Sequence, residues 1–335
     1  MTLVAEPQLE KAEAASLRTE RIVELVQRQG ALAVLGIVLV VGIVSFDTFR
    51  TADNAGTILI AAAPAALIAL GMTFVIITGG IDLSVGSLYV LGGVLAAWAS
   101  QYGVAAAFAV PLAACGLFGL VQGLVIAYAR LAPFIVTLAG LLGARGLMLA
   151  LSGEGRTTFL VKADQFKQFG KGELLGFGYP VYLVVALFAV GMVVLYRTRF
   201  GQSVYAIGGS EDAARLMGVR IRSTQIRVYV LSGLLAGLAG AINAARLGSG
   251  VTVLGTGMEL DAIAAVVIGG TLLTGGAGTL GGTIAGVLLL QVIQNLINQV
   301  NGVTSAWQTV ISGAFIALVV VAQTYLARLR RVASG

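Results

Sequence analysis

Four places in the sequence carry polar side chains in apolar surroundings, and each poses a chemical question. The string Gly79-Gly80-Ile81-Asp82-Leu83-Ser84-Val85-Gly86 sets a carboxylate and a hydroxyl two residues apart between long hydrophobic runs. Asp82 and Ser84 either cap the helix that follows and satisfy its free amides, or touch a solute passing through. Glu259 and Asp261 stand at the head of another apolar run, where acids complement a helix dipole. Paired carboxylates also suggest acid/base catalysis, but a spacing of two on a helix splays them apart, and no nucleophile or base accompanies them. Gln291, Gln294, Asn295 and Asn298 follow the i, i+3, i+4, i+7 pattern of one helix face. Such a carboxamide stripe either ties helices together or lines a polar path.

The fourth place is a polar island from Arg197 to Arg227. Ser210 is a good N-cap, Glu211 and Asp212 put negative charge in a first helical turn, and Gly218 can close the C-terminus. The pattern predicts a short helix over Glu211–Met217, with Gly208, Gly209 and Gly218 around it. Arg197, Arg199, Arg215, Arg220, Arg222 and Arg227 make the island basic, which between apolar runs marks a cytoplasmic loop. It is either a solvated connector or a surface shaped to dock a partner.

Other chemistries lack their residues. There is no histidine, and Cys115 is the single cysteine, so the usual zinc and copper ligand sets and any intrachain disulfide are missing. The phosphate-binding pattern GxxxxGK[ST] is absent; Gly170-Lys171 comes nearest, with Gln165 where the first glycine should stand. The chain is therefore expected to be no enzyme, to hold no metal or cofactor and to hydrolyse no ATP. Its net charge of +6 does not point to nucleic acid, because nearly all the excess is arginine at the edges of apolar runs.

The elements that position these residues follow from composition. With 58% hydrophobic and 11% charged residues and a mean hydropathy of +0.96, the chain cannot be an ordinary soluble domain, which is about a quarter charged. It reads as an all-α integral membrane protein with the lipid bilayer as its solvent, and its 46 glycines suit helices packed closely in lipid. Residues 1–30 are mixed in charge and read as a cytoplasmic amphipathic segment. A span takes about 20 apolar residues. Ten are expected: Ala31–Phe46, Thr57–Thr78, Leu88–Ala99, Val104–Tyr128, Phe134–Leu151, Pro180–Tyr196, Val228–Ala245, Glu259–Leu273, one ending near Ile297, and Trp307–Leu326. The third reaches full length only by including Ser84–Ser87, so the glycine-rich segment 79–87 lies at membrane depth. Arg145, inside the fifth, must face protein, water or an interface.

Ten spans place both termini on one side. With the termini in the cytoplasm, fourteen basic residues lie inside (Lys11, Arg18, Arg21, Arg28, Arg130, Arg197, Arg199, Arg215, Arg220, Arg222, Arg227, Arg328, Arg330 and Arg331). Six lie outside (Arg50, Arg156, Lys162, Lys167, Lys171 and Arg246), which satisfies the positive-inside rule. The transmembrane domain then covers 31–327, with Ser152–Tyr179 as an outer loop, 197–227 as an inner one and a cytoplasmic tail at 328–335. The sequence also echoes itself: Thr78-Gly79-Gly80 with Gly86 matches Thr274-Gly275-Gly276 with Gly282 at the same spacing. Paired glycine-broken segments, here 79–87 and 274–282, point to a transport path, unless two glycine-rich turns merely coincide.

Taken together, these strings resemble the permeases of bacterial ATP-binding-cassette importers of the ribose/xylose/galactose class. The resemblance runs from about Thr57 to the C-terminus. It rests on Gly71–Ser87, Pro133–Gly140, Phe200–Val219, Glu259–Thr271 and Gly275–Gly286, in family order and spacing. It implies a permease of the bacterial inner membrane that pairs with a second copy or a paralogue. An extracytoplasmic sugar-binding protein feeds it, and cytoplasmic ATPase subunits that carry the ATP and magnesium drive it. On that reading Gly201, Gly208, Gly209, Ser210, Glu211, Asp212, Ala213, Ala214, Arg215 and Gly218 form the segment coupled to the ATPase. Asp82, Ser84, Phe134, Thr137, Gln291 and Asn295 become candidates for the path or its gate, and Glu259 and Asp261, with Ser152–Tyr179, for docking the binding protein. Relatives often carry Asn where Ser210 stands, and Ser caps a helix comparably. The neighbouring reading is a branched-chain amino-acid permease, against which the Gly79–Gly86 string counts. A channel or carrier without an ATPase would need intramembrane ionisable groups, for which Asp82 and Arg145 are thin support.

Overall fold

The computed structural model describes residues 30–300, together with Trp307, Val310, Gly313, Ala314 and Ala317. Helix α1 spans Gly30–Ser45. After a 3-10 turn at Asp47–Arg50 come α2 (Ala52–Ile77), α3 (Val85–Ala99), α4 (Val104–Ala129) and α5 (Pro133–Leu151). Then follow α6 (Asp164–Lys171), α7 (Tyr179–Arg197), α8 (Arg199–Gly209), α9 (Glu211–Leu216), α10 (Ile221–Leu247), α11 (Met258–Ile268) and α12 (Leu280–Gln299). The strands are two residues long: β1 (Phe159–Leu160), β2 (Glu173–Leu174), β3 (Phe177–Gly178) and β4 (Ser249–Gly250). This is an all-α membrane protein with short two-stranded ribbons outside the bundle.

Among the described residues six helices, α2, α4, α5, α7, α10 and α12, are long and apolar enough to cross a membrane. Helix α1 is shorter, and α3 and α11 have 15 and 11 residues, too few to cross alone. The expected ten spans thus appear as six full-length helices and shorter pieces. The expected tenth span lies outside the described residues apart from the five positions from Trp307 to Ala317, all helical. Residues 1–29 and the tail 328–335 lie outside them too.

Helices α2 and α10 form the centre, with 83% and 72% of their most apolar windows buried, against 22% for α5 and α7. Lipid supplies no hydrophobic force between helices, so close approach depends on small residues. The two GxxxG pairs of the sequence, Gly119/Gly123 on α4 and Gly233/Gly237 on α10, face one another. A Cβ on Gly233 would overlap the Cys115 carbonyl oxygen, and one on Gly119 the Tyr229 carbonyl oxygen.

Helix α10 also defines the two ends of the bundle. At its start Ile221 packs with Ile207 of α8 and Ala214 of α9. At its finish Gly248 adopts φ +74°, and β4 pairs antiparallel with β1 in the register Phe159↔Gly250. There α6 lies on α10, and Phe166, fully buried, makes an edge-to-face contact with Phe108 at 5.0 Å. Residues 152–179 therefore form a structured cap and not a plain loop.

Three element boundaries differ from the sequence expectation. The second span begins at Ala52, not Thr57, because the Thr51 side chain accepts from the Asn54 amide and caps it. The island is mostly helical: α8 fills its first part, and α10 starts at Ile221, seven residues before Val228. Ile221, Thr224 and Val228 point inward while Arg222 and Arg227 point outward, so the helical period holds through the arginines. Helix α11 stops at Ile268, five residues before Leu273, because Gly270 takes φ +90°, which an α-helix cannot continue through.

Candidate functional site

The two glycine-broken segments meet. The carbonyl of Ile77, at the end of α2, accepts from the Gly276 amide at 2.9 Å. Gly79, Gly275 and Gly276 all have positive φ (+80°, +85° and +77°), and a Cβ on Gly275 would lie 2.8 Å from the Gly79 nitrogen. Higher up, the Thr73 and Thr283 hydroxyls are 2.8 Å apart, joining α2 to α12. The two segments of the sequence echo are therefore in direct contact.

The third party to this junction comes from the polar island. A Cβ on Gly208 of α8 would overlap both the Ile77 carbonyl oxygen and the Gly276 nitrogen, and Gly209 lies beside Gly276. Gly201 presses on the Leu195 carbonyl in the same tight manner. The Tyr205 hydroxyl donates to the Gly278 carbonyl at 2.7 Å, and Phe200 stacks on Phe74 with ring centroids 6.1 Å apart. Helix α8 is thus fixed to both broken segments at once. Burial pushes the Tyr205 phenol up to about 12.

Helix α9 extends from that base. The Ser210 hydroxyl accepts from the Ala213 amide at 3.3 Å, which caps the helix as expected. At the other end Gly218 has φ +77°, its amide bonds to the Arg215 carbonyl, and the Val219 amide to the Ala214 carbonyl. This is the double bond pattern of a glycine-closed C-terminus. Glu211 and Arg215 pair at 2.8 Å along the exposed side, beside exposed Asp212 and Ala213, while Ala214 is fully buried against Ile207 and Ile221. Leu216 and Met217, at the tip, are 90% and 71% exposed. A cleft of about 970 Å³ opens beneath, lined by Arg130, Arg215, Arg220, Arg222 and Arg227, with Gly79 and Gly80 on its wall.

Three of the path candidates converge on the first broken segment. Asp82, 1% exposed, accepts from the Ser84 amide at 2.9 Å and the Ser84 hydroxyl at 2.6 Å, and from the Ser232 hydroxyl of α10 at 2.7 Å. Ser84 also lies 3.3 Å from the Gln122 side-chain oxygen of α4. Thr137 of α5 donates to the Ile81 carbonyl at 3.1 Å. In this conformation the cluster pins the turn to α4, α5 and α10. Phe134, one turn earlier on α5, is 51% exposed and stands apart from it.

The carboxamide stripe of α12 divides between the two roles open to it. Asn295 exchanges hydrogen bonds with Asn54 of α2 at 2.9 and 3.3 Å and accepts from Gln299. Gln291 and Gln294 instead line a cavity of about 320 Å³ between the helices, with Tyr89, Asn243, Arg246 and Asp261. Asp261 thus faces an internal cavity. Glu259 accepts from the Gly257 amide at 3.3 Å and presses on Gly86, where a Cβ would overlap its carboxylate. Both acids are half-buried. Arg145 donates to the Leu254 carbonyl at 3.2 Å, which answers its need for protein.

Several participants escape a reading of motifs. Ser232 and Tyr205 are ordinary helical residues, and nothing in their sequence neighbours marks them. Asn243 and Gln122 were discoverable, since a lone carboxamide within an apolar run is costly in lipid and needs a reason.

A bundle of membrane-crossing helices with two glycine-broken hairpins in contact, an internal polar cavity and a rigid helical arm at one end defines a membrane transport protein. The chain belongs to the family described as branched-chain amino acid transport system / permease component, which it matches over residues 54–320. It is 41% identical over 300 residues to the ribose import permease protein RbsC of Escherichia coli (strain K12), covering 88% of this chain and 93% of that one. It is 33% identical to the fructose import permease protein FruG of Bifidobacterium longum (90% and 91% covered). It is likewise 33% identical to the L-arabinose ABC transporter permease protein AraH of Azospirillum brasilense (92% and 91%). No solved structure matches it.

Proposed function

We propose that this chain is the permease subunit of an ATP-driven importer in the bacterial cytoplasmic membrane, carrying a monosaccharide inward from an extracytoplasmic sugar-binding protein. One observation carries the mechanism: Gly208 is seated on backbone atoms of both broken segments, while the α9 tip that follows it exposes Leu216 and Met217. A partner that grips the tip moves both hairpins together. The partner is a cytoplasmic ATPase that carries the ATP and magnesium, with α9 as the coupling helix and both termini on the same side. Residues 152–179, at the opposite end, offer the surface for the binding protein. Glu259 and Asp261, half-buried, contribute less to that surface than their sequence position suggests. A second permease, identical or paralogous, completes the assembly. The names of relatives that match nearly the whole chain support the sugar, and the family description supports a second reading, branched-chain amino acids.

The test is co-expression with a candidate ATPase and binding protein from neighbouring genes, followed by uptake into proteoliposomes. ATP-dependent entry of ribose, fructose or arabinose, lost in Arg215→Glu/Ala213→Asp together with ATPase co-purification, is the expected result. Entry of leucine alone would favour the second reading, and solute entry without any ATPase would overturn both.

A further inference from the structure

The geometry points to a binding chamber for a small, neutral, hydroxyl-rich solute inside a single copy of the chain, in the cavity bounded by α2, α3, α10, α11 and α12. The choice of solute class rests on the importer reading above; the chamber itself does not.

The cavity holds about 320 Å³ and is lined by polar groups from four helices: Tyr89 (α3), Asn243 and Arg246 (α10), Asp261 (α11), and Gln291 and Gln294 (α12). None of the six side chains makes a hydrogen bond to another described residue. The four ion pairs among the described residues include neither Arg246 nor Asp261. Polar groups between apolar helices are costly unless they are paired or face a wet, polar space. Asn295, one turn along the same α12 face, shows the contrast: its carboxamide is fully engaged by Asn54 and Gln299.

The chemistry of the lining narrows the occupant. One cation and one carboxylate leave the wall near neutral, which disfavours an ion. Three carboxamides each offer a donor and an acceptor, matching the alternating needs of adjacent hydroxyl groups. Tyr89 adds a ring and a further hydroxyl. A volume near the lower end of ligand cavities, about 300 Å³, suits a single sugar ring and not an oligosaccharide. A zwitterionic amino acid, which Arg246 and Asp261 could bracket, is the competing occupant that the test must separate.

The experiment uses the full chain in nanodiscs, with Gln291 or Gln294 replaced by cysteine; native Cys115 is fully buried and stays silent. A small hydrophilic methanethiosulfonate reports access, and Leu175→Cys, at an 87% exposed position, is the control. Both cavity cysteines should label, and millimolar D-ribose, D-fructose or L-arabinose should slow labelling by about fivefold or more, without effect on the control. Asn243→Leu should raise the sugar concentration for half-protection by about tenfold, as loss of one buried hydrogen bond would. Asn243→Gln, which keeps the carboxamide, serves if the leucine variant does not fold. Absence of labelling, or labelling that none of the three sugars slows, overturns the chamber. Protection by leucine and not by sugars overturns the solute class. No ATPase is present, so this outcome is independent of the uptake test: failed uptake with intact protection would remove the importer reading and leave the chamber standing.

Discussion

The Gly276 amide donates to the Ile77 carbonyl at 2.9 Å, joining two glycine-rich turns that lie at opposite ends of the sequence. Gly208 closes on the same two residues from a third helix. At Gly208 the island therefore meets the membrane domain backbone to backbone, with Tyr205 and Phe200 packing alongside.

Adjacent glycines should respond in opposite ways. Gly208→Ala forces a methyl group into backbone on two sides and should cost about 2 kcal/mol or more, since overpacking typically costs 1–3. Gly209→Ala meets nothing within 4 Å and should change stability by no more than about 0.5 kcal/mol. Thermal unfolding in detergent gives the comparison; equal effects would mean that the junction is not tightly packed.

The Asp82 cluster should behave as a coupled unit. Ser232→Ala removes one of three donors to a buried carboxylate and should cost about 1–3 kcal/mol. Asp82→Asn should cost about as much or more: its NH2 opposes a donor if it faces the Ser84 amide, and forces the Ser232 hydroxyl to turn and accept if it faces α10. A double-mutant cycle between Asp82 and Ser232 should return about 1 kcal/mol or more, and a value near zero would remove the bond from the account.

Helix α9 should be sensitive at its tip and its caps for different reasons. Leu216→Glu with Met217→Glu alters only exposed surface, so melting should stay unchanged while the ATPase is lost from co-purification. Ser210→Ala should cost about 1 kcal/mol of local helix stability, and Gly218→Val about 1–2, because φ +77° strains a branched residue. Retention of the ATPase by the tip variant would exclude α9 as the coupling contact.

Tyr205 provides a pH signature. Its protonated form is favoured in the folded state, so its contribution is complete below about 10, the unfolded value, and is lost as pH rises towards about 12. Ultraviolet titration of wild type minus Tyr205→Phe should therefore show one phenol ionising late. A difference that titrates near 10 would place Tyr205 in water and leave the Gly278 bond unsupported.

The two halves of the α12 stripe should separate functionally. Asn295→Leu should lower stability by about 1–2 kcal/mol through the orphaned Asn54 carboxamide, with solute handling little changed. Gln291→Leu should leave stability unchanged or raised, while solute uptake falls. Identical behaviour in melting and uptake would assign both residues to packing.

Much of this was legible in the residues themselves. Apolar runs marked the membrane helices because lipid tolerates little else, and Ser210, Glu211 and Gly218 defined α9 almost to the residue, since helix caps are local chemistry. Local chemistry stops there. Whether Asn295 or Gln291 met a partner depended on which residues of α2 and α10 came opposite, and a stripe with helical spacing is the same string in either case. Likewise Thr78-Gly79-Gly80 and Thr274-Gly275-Gly276 announced two turns needing positive φ, but only the packing of α2 against α12 brought them into contact and set Gly208 between them. Composition, period and capping are properties of neighbours in sequence; the junction and the chamber arise between helices, where distance is decided by the small residues through which they touch.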